Sequence, residues 1–325
     1  MKTPIPQALL EFIQENSKFL IAGHREPDGD CVGSQLALGS VLERLGKEVI
    51  PCSAGPFKRG EIKGYEPRFS SGPTDAERSG AAVIILDCSS PERTGDLAPF
   101  LKGLPTATID HHRTGETHEF LSYLDPSAPS TTFLVLELIE ALGLSPTKEE
   151  AELLFFGLCT DTGFFRHVDD QGAETFRCAS RLIDAGANPK RVFQAMNGGK
   201  TLDSRILMGT ILAHAESYFG GKLLFCTETL EDTQRYGLEG RDSDSLYQLL
   251  QAVEGVEAIV IIRQESPDNC TVGFRSRDAV DVAAIAAGFG GGGHKNAAGL
   301  SVGGVIEELR PQILQAFQKV FNQNP

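Results

Sequence analysis

Three short apolar runs in the first part of the chain each end directly in acids or imidazoles, and few folds accommodate that pattern. Phe19-Leu20-Ile21-Ala22-Gly23 runs into His24-Arg25-Glu26-Pro27-Asp28-Gly29-Asp30. Ala81-Ala82-Val83-Ile84-Ile85-Leu86 ends in Asp87, and Leu104-Pro105-Thr106-Ala107-Thr108-Ile109 ends in Asp110-His111-His112. Runs this short and this apolar read as buried strands. An amphipathic helix opening at Val32-Gly33-Ser34, with Leu36, Leu38, Val41, Leu42 and Leu45 on it and Gly46 as its stop, leads from the first run to another strand at Glu48 to Ser53. That is a βαβ unit, so the sheet is parallel, and ligands of such sheets bind outside the carboxyl ends of the strands.

The rest of the chain extends the pattern. Further helices are predicted from Ala8 to Gln14, Thr131 to Leu142, Lys148 to Leu158 (with Thr147 and Glu150 as a capping box) and Glu174 to Ala185. The pattern weakens between Asn188 and Ser204, where Asn197-Gly198-Gly199 has the look of a connector. Strands near Leu223–Thr227, Ala258–Arg263 and Thr271–Ser276, with helices near Ser243–Val253, Val282–Ala287 and Ile306–Phe321, then make a second unit. The expected fold is α/β: a parallel-sheet catalytic domain over residues 1–188, a connector over 189–210, and a smaller α/β substrate-binding domain over 211–325, with the active site in the cleft between them.

The net charge of −14 argues against a protein that grips long nucleic acid through its phosphates, which takes a broad basic surface. A short anionic substrate held by a few arginines and metal ions is compatible with it. Seven cysteines at 31, 52, 88, 159, 178, 226 and 270 form no Cys-x-x-Cys pair and read as reduced, buried thiols rather than metal ligands. No apolar stretch approaches the roughly 20 residues that cross a bilayer, and Met1 to Asn16 lacks a signal-peptide centre. A soluble, cytoplasmic protein without membrane contact is the expectation.

Taken singly, the polar residues at the strand ends have ordinary explanations. Pro27-Asp28-Gly29-Asp30 is good turn chemistry, Asp87 suits a helix cap, and Asp161 in Thr160-Asp161-Thr162-Gly163 suits a helix terminus. Together they do not. Four carboxylates (Asp28, Asp30, Asp87, Asp161) and two imidazoles at one sheet edge repel without a cation, and oxygen and imidazole donors suit Mn²⁺ or Mg²⁺. Six donors are too many for one catalytic ion and enough for two, roughly 3.5–4 Å apart, which activate water at neutral pH and clamp both oxygens of an in-line phosphoryl displacement. The chemistry they point to is phosphoester hydrolysis.

His24-x-x-x-Asp28-x-Asp30, Asp87 after a buried strand, Asp110-His111-His112 and Asp161 in Thr-Asp-Thr-Gly resemble, in order, the motifs of the DHH phosphoesterases. Gly290-Gly291-Gly292-Gly293-His294-Lys295-Asn296-Ala297-Ala298-Gly299 resembles the signature of the DHH-associated C-terminal domain. It distinguishes this branch from family II inorganic pyrophosphatases. The resemblance implies that His24, Asp28 and Asp87 hold one metal and that Asp30, Asp87, His111 and Asp161 hold the other, with Asp87 bridging. It implies that Asp110 orients the site and His112 faces the scissile phosphate. Two Mn²⁺ ions are the implied cofactor, with Mg²⁺ or Co²⁺ as substitutes. Arg113-Thr114-Gly115 departs from the family by lacking an asparagine that many relatives carry shortly downstream of the signature.

A glycine run is ordinarily a turning loop, but a bare backbone also approaches a phosphate closely and offers it N–H donors. His294 and Lys295 follow the run, and Arg275-Ser276-Arg277 ends a predicted strand. Arginine suits bidentate phosphate binding. Arg275, Ser276, Arg277, Gly291, Gly292, Gly293 and His294 are therefore the expected substrate contacts; Arg93, six residues after Asp87, reads as a solvated loop arginine. The resemblance is greatest to the bacterial nanoRNase branch, which degrades very short RNAs, dinucleotides among them, and dephosphorylates 3′-phosphoadenosine 5′-phosphate. It implies a homodimer. A phosphatase confined to small nucleotides and a non-catalytic nucleotide sensor are the other readings.

Overall fold

The computed structural model describes residues 3–112, 120–170, 172–237, 241–277 and 279–323. Arg113-Thr114-Gly115 lies outside the described residues. The chain divides into two compact units, Met1–Gly199 and Lys200–Pro325.

The first unit is built on five parallel strands: β1 (Lys18–Gly23), β2 (Glu48–Cys52), β3 (Ala82–Leu86), β4 (Thr106–Asp110) and β5 (Leu121–Leu124), in the order β2-β1-β3-β4-β5. Every residue of β3 is buried, as a central parallel strand requires. Alternate residues of β1 and β3 feed two separate cores. Phe19, Ile21, Ala82, Ile84 and Leu86 pack with Val32, Leu36, Phe133, Leu134 and Leu154 of the covering helices, while Leu20, Ala22, Val83 and Ile85 pack with Leu97 and Leu101 on the other face. The chain leaves β1 towards β2 on one side and reaches β3 on the other. The strand order therefore reverses between β1 and β3, and a crevice opens at their carboxyl ends.

Three helices on the larger core position the site. Asp28 caps the Gly29–Arg44 helix by accepting from the N–H groups of Asp30 and Cys31, both at 3.1 Å. Ser130 caps the Thr131–Ala141 helix, and Thr147 with Glu150 forms the predicted capping box of the Lys148–Asp161 helix. At Gly157 a Cβ would lie 2.4 Å from Thr132 Cγ2 and 3.0 Å from Asp30 Oδ1, so only a bare backbone lets these helices close around Asp30.

The second unit carries a six-stranded mixed sheet: β6 (Glu216–Tyr218), β7 (Leu223–Glu228), β8 (Ala258–Ser266), β9 (Asn269–Ser276), β10 (Gly292–His294) and β11 (Ala297–Gly303), in the order β10-β11-β9-β8-β7-β6. Among the described residues of this sheet, β7 and β8 alone pair in parallel. The Val282–Ala287 and Ile306–Gln323 helices cover one face and the Leu202–Ala213 and Ser243–Gln251 helices the other. The connector predicted over 189–210 is mostly helical. Asn188 caps a Pro189–Asn197 helix through the Arg191 N–H, and Thr201 caps the Leu202–Ala213 helix through the Ser204 N–H. The division between the units falls at Gly199 and Lys200, inside that span. Among the described residues no helix is long and apolar enough to cross a membrane, and all seven cysteines are free and buried.

Candidate metal centre

The structure gathers every predicted metal ligand at the carboxyl edge of the first sheet. His24 follows β1, and its Nδ1 lies 2.9 Å from the Arg25 carbonyl oxygen. A carbonyl only accepts, so Nδ1 carries a proton, and Nε2 faces Asp28 Oδ1 at 3.8 Å and Asp87 Oδ2 at 3.4 Å. His111 after β4 repeats the arrangement. Its Nδ1 lies 3.2 Å from the Ala128 carbonyl oxygen, and its Nε2 faces Asp161 Oδ2 at 3.2 Å, Asp87 Oδ1 at 3.7 Å and Asp30 Oδ2 at 3.9 Å. A ring held by one nitrogen on a backbone carbonyl, with the other aimed at carboxylates, is the usual posture of a metal-ligating histidine.

Asp87 sits between the two imidazoles. One oxygen faces His24, and the other faces both His111 and His112 Nδ1, the latter at 3.7 Å. Its backbone is left-handed, φ 62°, a conformation that aspartate tolerates better than most residues. Asp30 is fully buried and accepts from the Thr131 N–H at 2.6 Å, the Thr132 N–H at 2.9 Å and the Thr132 hydroxyl at 2.7 Å. Asp161 ends its helix beside His111. Asp110 is buried beneath His112 and accepts its Nδ1–H at 2.7 Å.

The electrostatics are those of a site that expects cations. Burial together with Asp87 and Asp161 pushes Asp30 well above the usual carboxylate range, and burial with Asp87 and Asp28 pushes Asp161 up to about 6. Burial opposes charge on His24, yet hydrogen bonding to Asp28 and Asp87 overrides it and raises the imidazole. Asp28 is held down at about 2, its burial outweighed by His24 and the Cys31 N–H. His111 Nε2 is buried with no hydrogen-bond partner. Such an orphan nitrogen among carboxylates fits a site that could hold metal through oxygen and imidazole donors.

Several contributors carry no obvious sequence signal. Thr131 Oγ1 donates to Asp87 Oδ1 at 3.0 Å, and Thr132 and the Ala128 carbonyl hold Asp30 and His111. The polar Ser130-Thr131-Thr132 run at a helix start was the available hint. Arg93 is exposed on the Pro91–Leu97 segment, in keeping with a solvated arginine. The Cys31 thiol joins His24 and Asp87 in a group whose atoms lie within 4.8 Å of one another, but burial keeps it protonated, up to about 11, and it lies 3.5 Å from Gln35 Oε1. A pocket of about 720 Å³ opens beside Asp161, bounded by Ala128, Phe133 and His167 among others.

In the second unit, His294 on β10 and Arg275 on β9 both pair with Ala297 of β11, so both project from one face of the sheet. Arg277 donates to the Gln251 carbonyl at 2.7 Å. Ser276 is buried and its hydroxyl donates to the Val280 carbonyl at 2.6 Å, clipping the adjacent loop. Gly291, Gly292 and Gly293 lead through β10; at Gly293 a Cβ would lie 2.5 Å from the Ala297 carbonyl oxygen, so close strand packing is itself a sufficient reason for that glycine.

Comparison with known proteins gives a family model for the DHH family N-terminal domain over residues 18–158 and one for the DHHA1 domain over residues 220–323. The chain is 33% identical over 305 residues to a bifunctional oligoribonuclease and PAP phosphatase, NrnA, of Thermus thermophilus, an alignment covering 92% of this chain and 89% of that protein. It is 29% identical to the cyclic-di-AMP phosphodiesterase GdpP of Bacillus subtilis over 97% of this chain and 50% of that protein. An exopolyphosphatase-related protein from Bacteroides fragilis has a similar structure, with a TM-score of 0.81 at 23% identity, covering 99% of this chain and 98% of that one. At that identity the likeness is one of fold.

Proposed function

The chain belongs to the DHH phosphoesterase family, and we propose that within it the protein hydrolyses very short oligoribonucleotides, such as pGpG and pApA, to mononucleotides. We propose that it also removes the 3′-phosphate of 3′-phosphoadenosine 5′-phosphate. The observation that carries this reading is Asp87, whose two oxygens face different imidazoles at the strand-order reversal. The similarity to an oligoribonuclease and PAP phosphatase along nine-tenths of both chains supports the substrate class. The acidic balance supports a short substrate.

In this reading His24, Asp28 and Asp87 hold one Mn²⁺, and Asp30, Asp87, His111 and Asp161 hold a second. When bound, the ions activate water and neutralise charge on the phosphoryl oxygens. Asp110 fixes His112 through Nδ1, which leaves the Nε2–H to meet the substrate phosphate and to give its proton to the leaving oxygen. Thr131 and Thr132 keep Asp87 and Asp30 aimed inward. Arg275, Arg277 and His294, with the backbone of Gly291, Gly292 and Gly293, hold the nucleotide, and Ser276 braces them from below. The reading includes a cytoplasmic homodimer. Phe176 and Ile183, 54% and 44% exposed on one helix, give the first unit an apolar surface of the kind that pairing covers.

The test is a Mn²⁺-supplemented assay offering pApA, a five-nucleotide RNA, a twenty-nucleotide RNA and 3′-phosphoadenosine 5′-phosphate in parallel. Mononucleotides from the short RNAs, loss of the 3′-phosphate, and sparing of the long RNA are expected. Turnover of the small nucleotide alone would favour a metabolite phosphatase. Silence on all four by protein that binds Mn²⁺ would refute the reading.

A further inference from the structure

Arg275 differs from the other arginines on its face of the second sheet. Arg241 is paired with Glu228 and Glu265, and Arg263 with Glu228 and the Ser243 hydroxyl. Among the described residues, Arg275 has no carboxylate within ion-pair distance; one N–H donates to the Phe274 carbonyl at 3.0 Å. Its guanidinium instead lies over the ring of Tyr247, 4.5 Å from the centroid. A guanidinium resting on an aromatic face keeps its edge donors for an anion, which an arginine tied to an acid does not.

Tyr247 is held so that it can offer that face. It comes from the Ser243–Gln251 helix, is only 5% exposed, and packs among Leu246, Leu250, Ile259 and Ile261. Its hydroxyl is buried beside the Arg263 guanidinium, with no hydrogen bond of good geometry to it. The ring reaches across β9 at Gly273, where a Cβ would meet the phenol oxygen at 2.2 Å and the ring carbon Cζ at 3.4 Å. Gly273 precedes Arg275 by two residues on the same face of the strand. The strand thus leaves a bare position for the ring and places the cation on top of it.

We propose that Tyr247 is a positioning residue for substrate binding, its ring holding the Arg275 guanidinium ready for a phosphate, with Gly273 as the space that admits the ring. This rests on the reading that Arg275 binds substrate. The effect belongs to binding rather than to the chemical step, because the group being positioned is a phosphate clamp.

The experiment measures KM and kcat for pApA with Mn²⁺ and melting temperature for five variants. Arg275→Ala anchors the series with a raised KM. Tyr247→Leu raises KM about 3- to 30-fold, the range of a cation–π contact, with kcat unchanged, and has no further effect in the Arg275→Ala background. Gly273→Ala raises KM in the same way by pushing on the phenol oxygen. Adding Tyr247→Phe to Gly273→Ala restores KM, since the ring remains and the clashing atom is gone. The Gly273 pair decides the matter even if Tyr247→Leu fails to fold. An unchanged KM in Gly273→Ala, no rescue by Tyr247→Phe, or additive effects of Tyr247→Leu and Arg275→Ala would overturn the positioning role. An unchanged KM in Arg275→Ala would instead overturn the assignment of Arg275 to substrate, and this inference with it.

Discussion

Asp110 holds His112 at two points: one oxygen accepts from the imidazole Nδ1–H at 2.7 Å and from the His112 backbone N–H at 3.1 Å. Burial works against charge on Asp110, but the imidazole keeps its carboxyl below the usual range, and the carboxylate in turn raises His112. The buried carboxylate thus favours the charged form of a partly exposed imidazole. Replacing Asp110 with Asn keeps the shape and removes that anion. Asp110→Asn is expected to lower kcat by about 10²–10⁴-fold, the usual worth of a placed proton donor, while the protein still binds its metal. A kcat within threefold of wild type would remove His112 from the proton-transfer role.

Thr132 donates both its N–H and its hydroxyl to Asp30 Oδ1. Thr132→Val keeps the volume and the backbone bond and deletes the hydroxyl. Partners of this kind behind a metal ligand are worth about 10–100-fold in metal affinity. Calorimetric titration with Mn²⁺ should show a loss in that range.

Asp161 in the folded, metal-free chain is pushed up to about 6, chiefly by burial. An unfolded aspartate titrates near 3.9. Between these values the folded chain binds more protons than the unfolded one, so this group's contribution to stability declines as pH rises from about 4 to about 6. Asp30 acts in the same direction. A bound cation takes the place of the proton, so the melting-temperature gain from Mn²⁺ should be larger at pH 7.5 than at pH 5. Equal gains at both would contradict the electrostatics described here.

Gly157 is where the helices bearing Asp30 and Asp161 touch the helix that carries Thr131 and Thr132. A methyl there meets Thr132 Cγ2 and Asp30 Oδ1 inside a packed core. Gly157→Ala should destabilise by about 1–3 kcal/mol, as overpacking does, with weaker Mn²⁺ binding. Thermal melts in the presence and absence of metal check both effects.

Much of the site is legible in sequence because strand ends and ligands coincide. The runs before His24, Asp87 and Asp110 are apolar enough to identify as buried strands, and a parallel sheet brings their ends together whatever the loops do. The Lys148–Asp161 helix is equally plain, since its capping box fixes its start. What escapes is held by pairing or local geometry. β11, Ala-Ala-Gly-Leu-Ser-Val-Gly, has the small residues of a loop and becomes a strand only between β9 and β10. β5 is four residues long and is defined by β4 beside it. The Leu202–Ala213 helix contains Gly209 and follows a Gly-Gly pair, so its cap at Thr201 is masked by breaker residues. The supports from Thr131, Thr132 and Ala128 depend on tertiary approach across more than a hundred residues in the case of Asp30, for which no local pattern exists.

Two ions sharing Asp87 define the proposed centre, and counting metal per chain tests that most directly. Purified protein, stripped and reloaded with Mn²⁺, is analysed by elemental and native mass spectrometry alongside His24→Ala, Asp161→Ala and Asp87→Ala. Two ions per wild-type chain, one in each of the first two variants, and neither ion held tightly by Asp87→Ala are the expected counts. A single ion in wild type, or two retained by Asp87→Ala, would contradict the shared-carboxylate site.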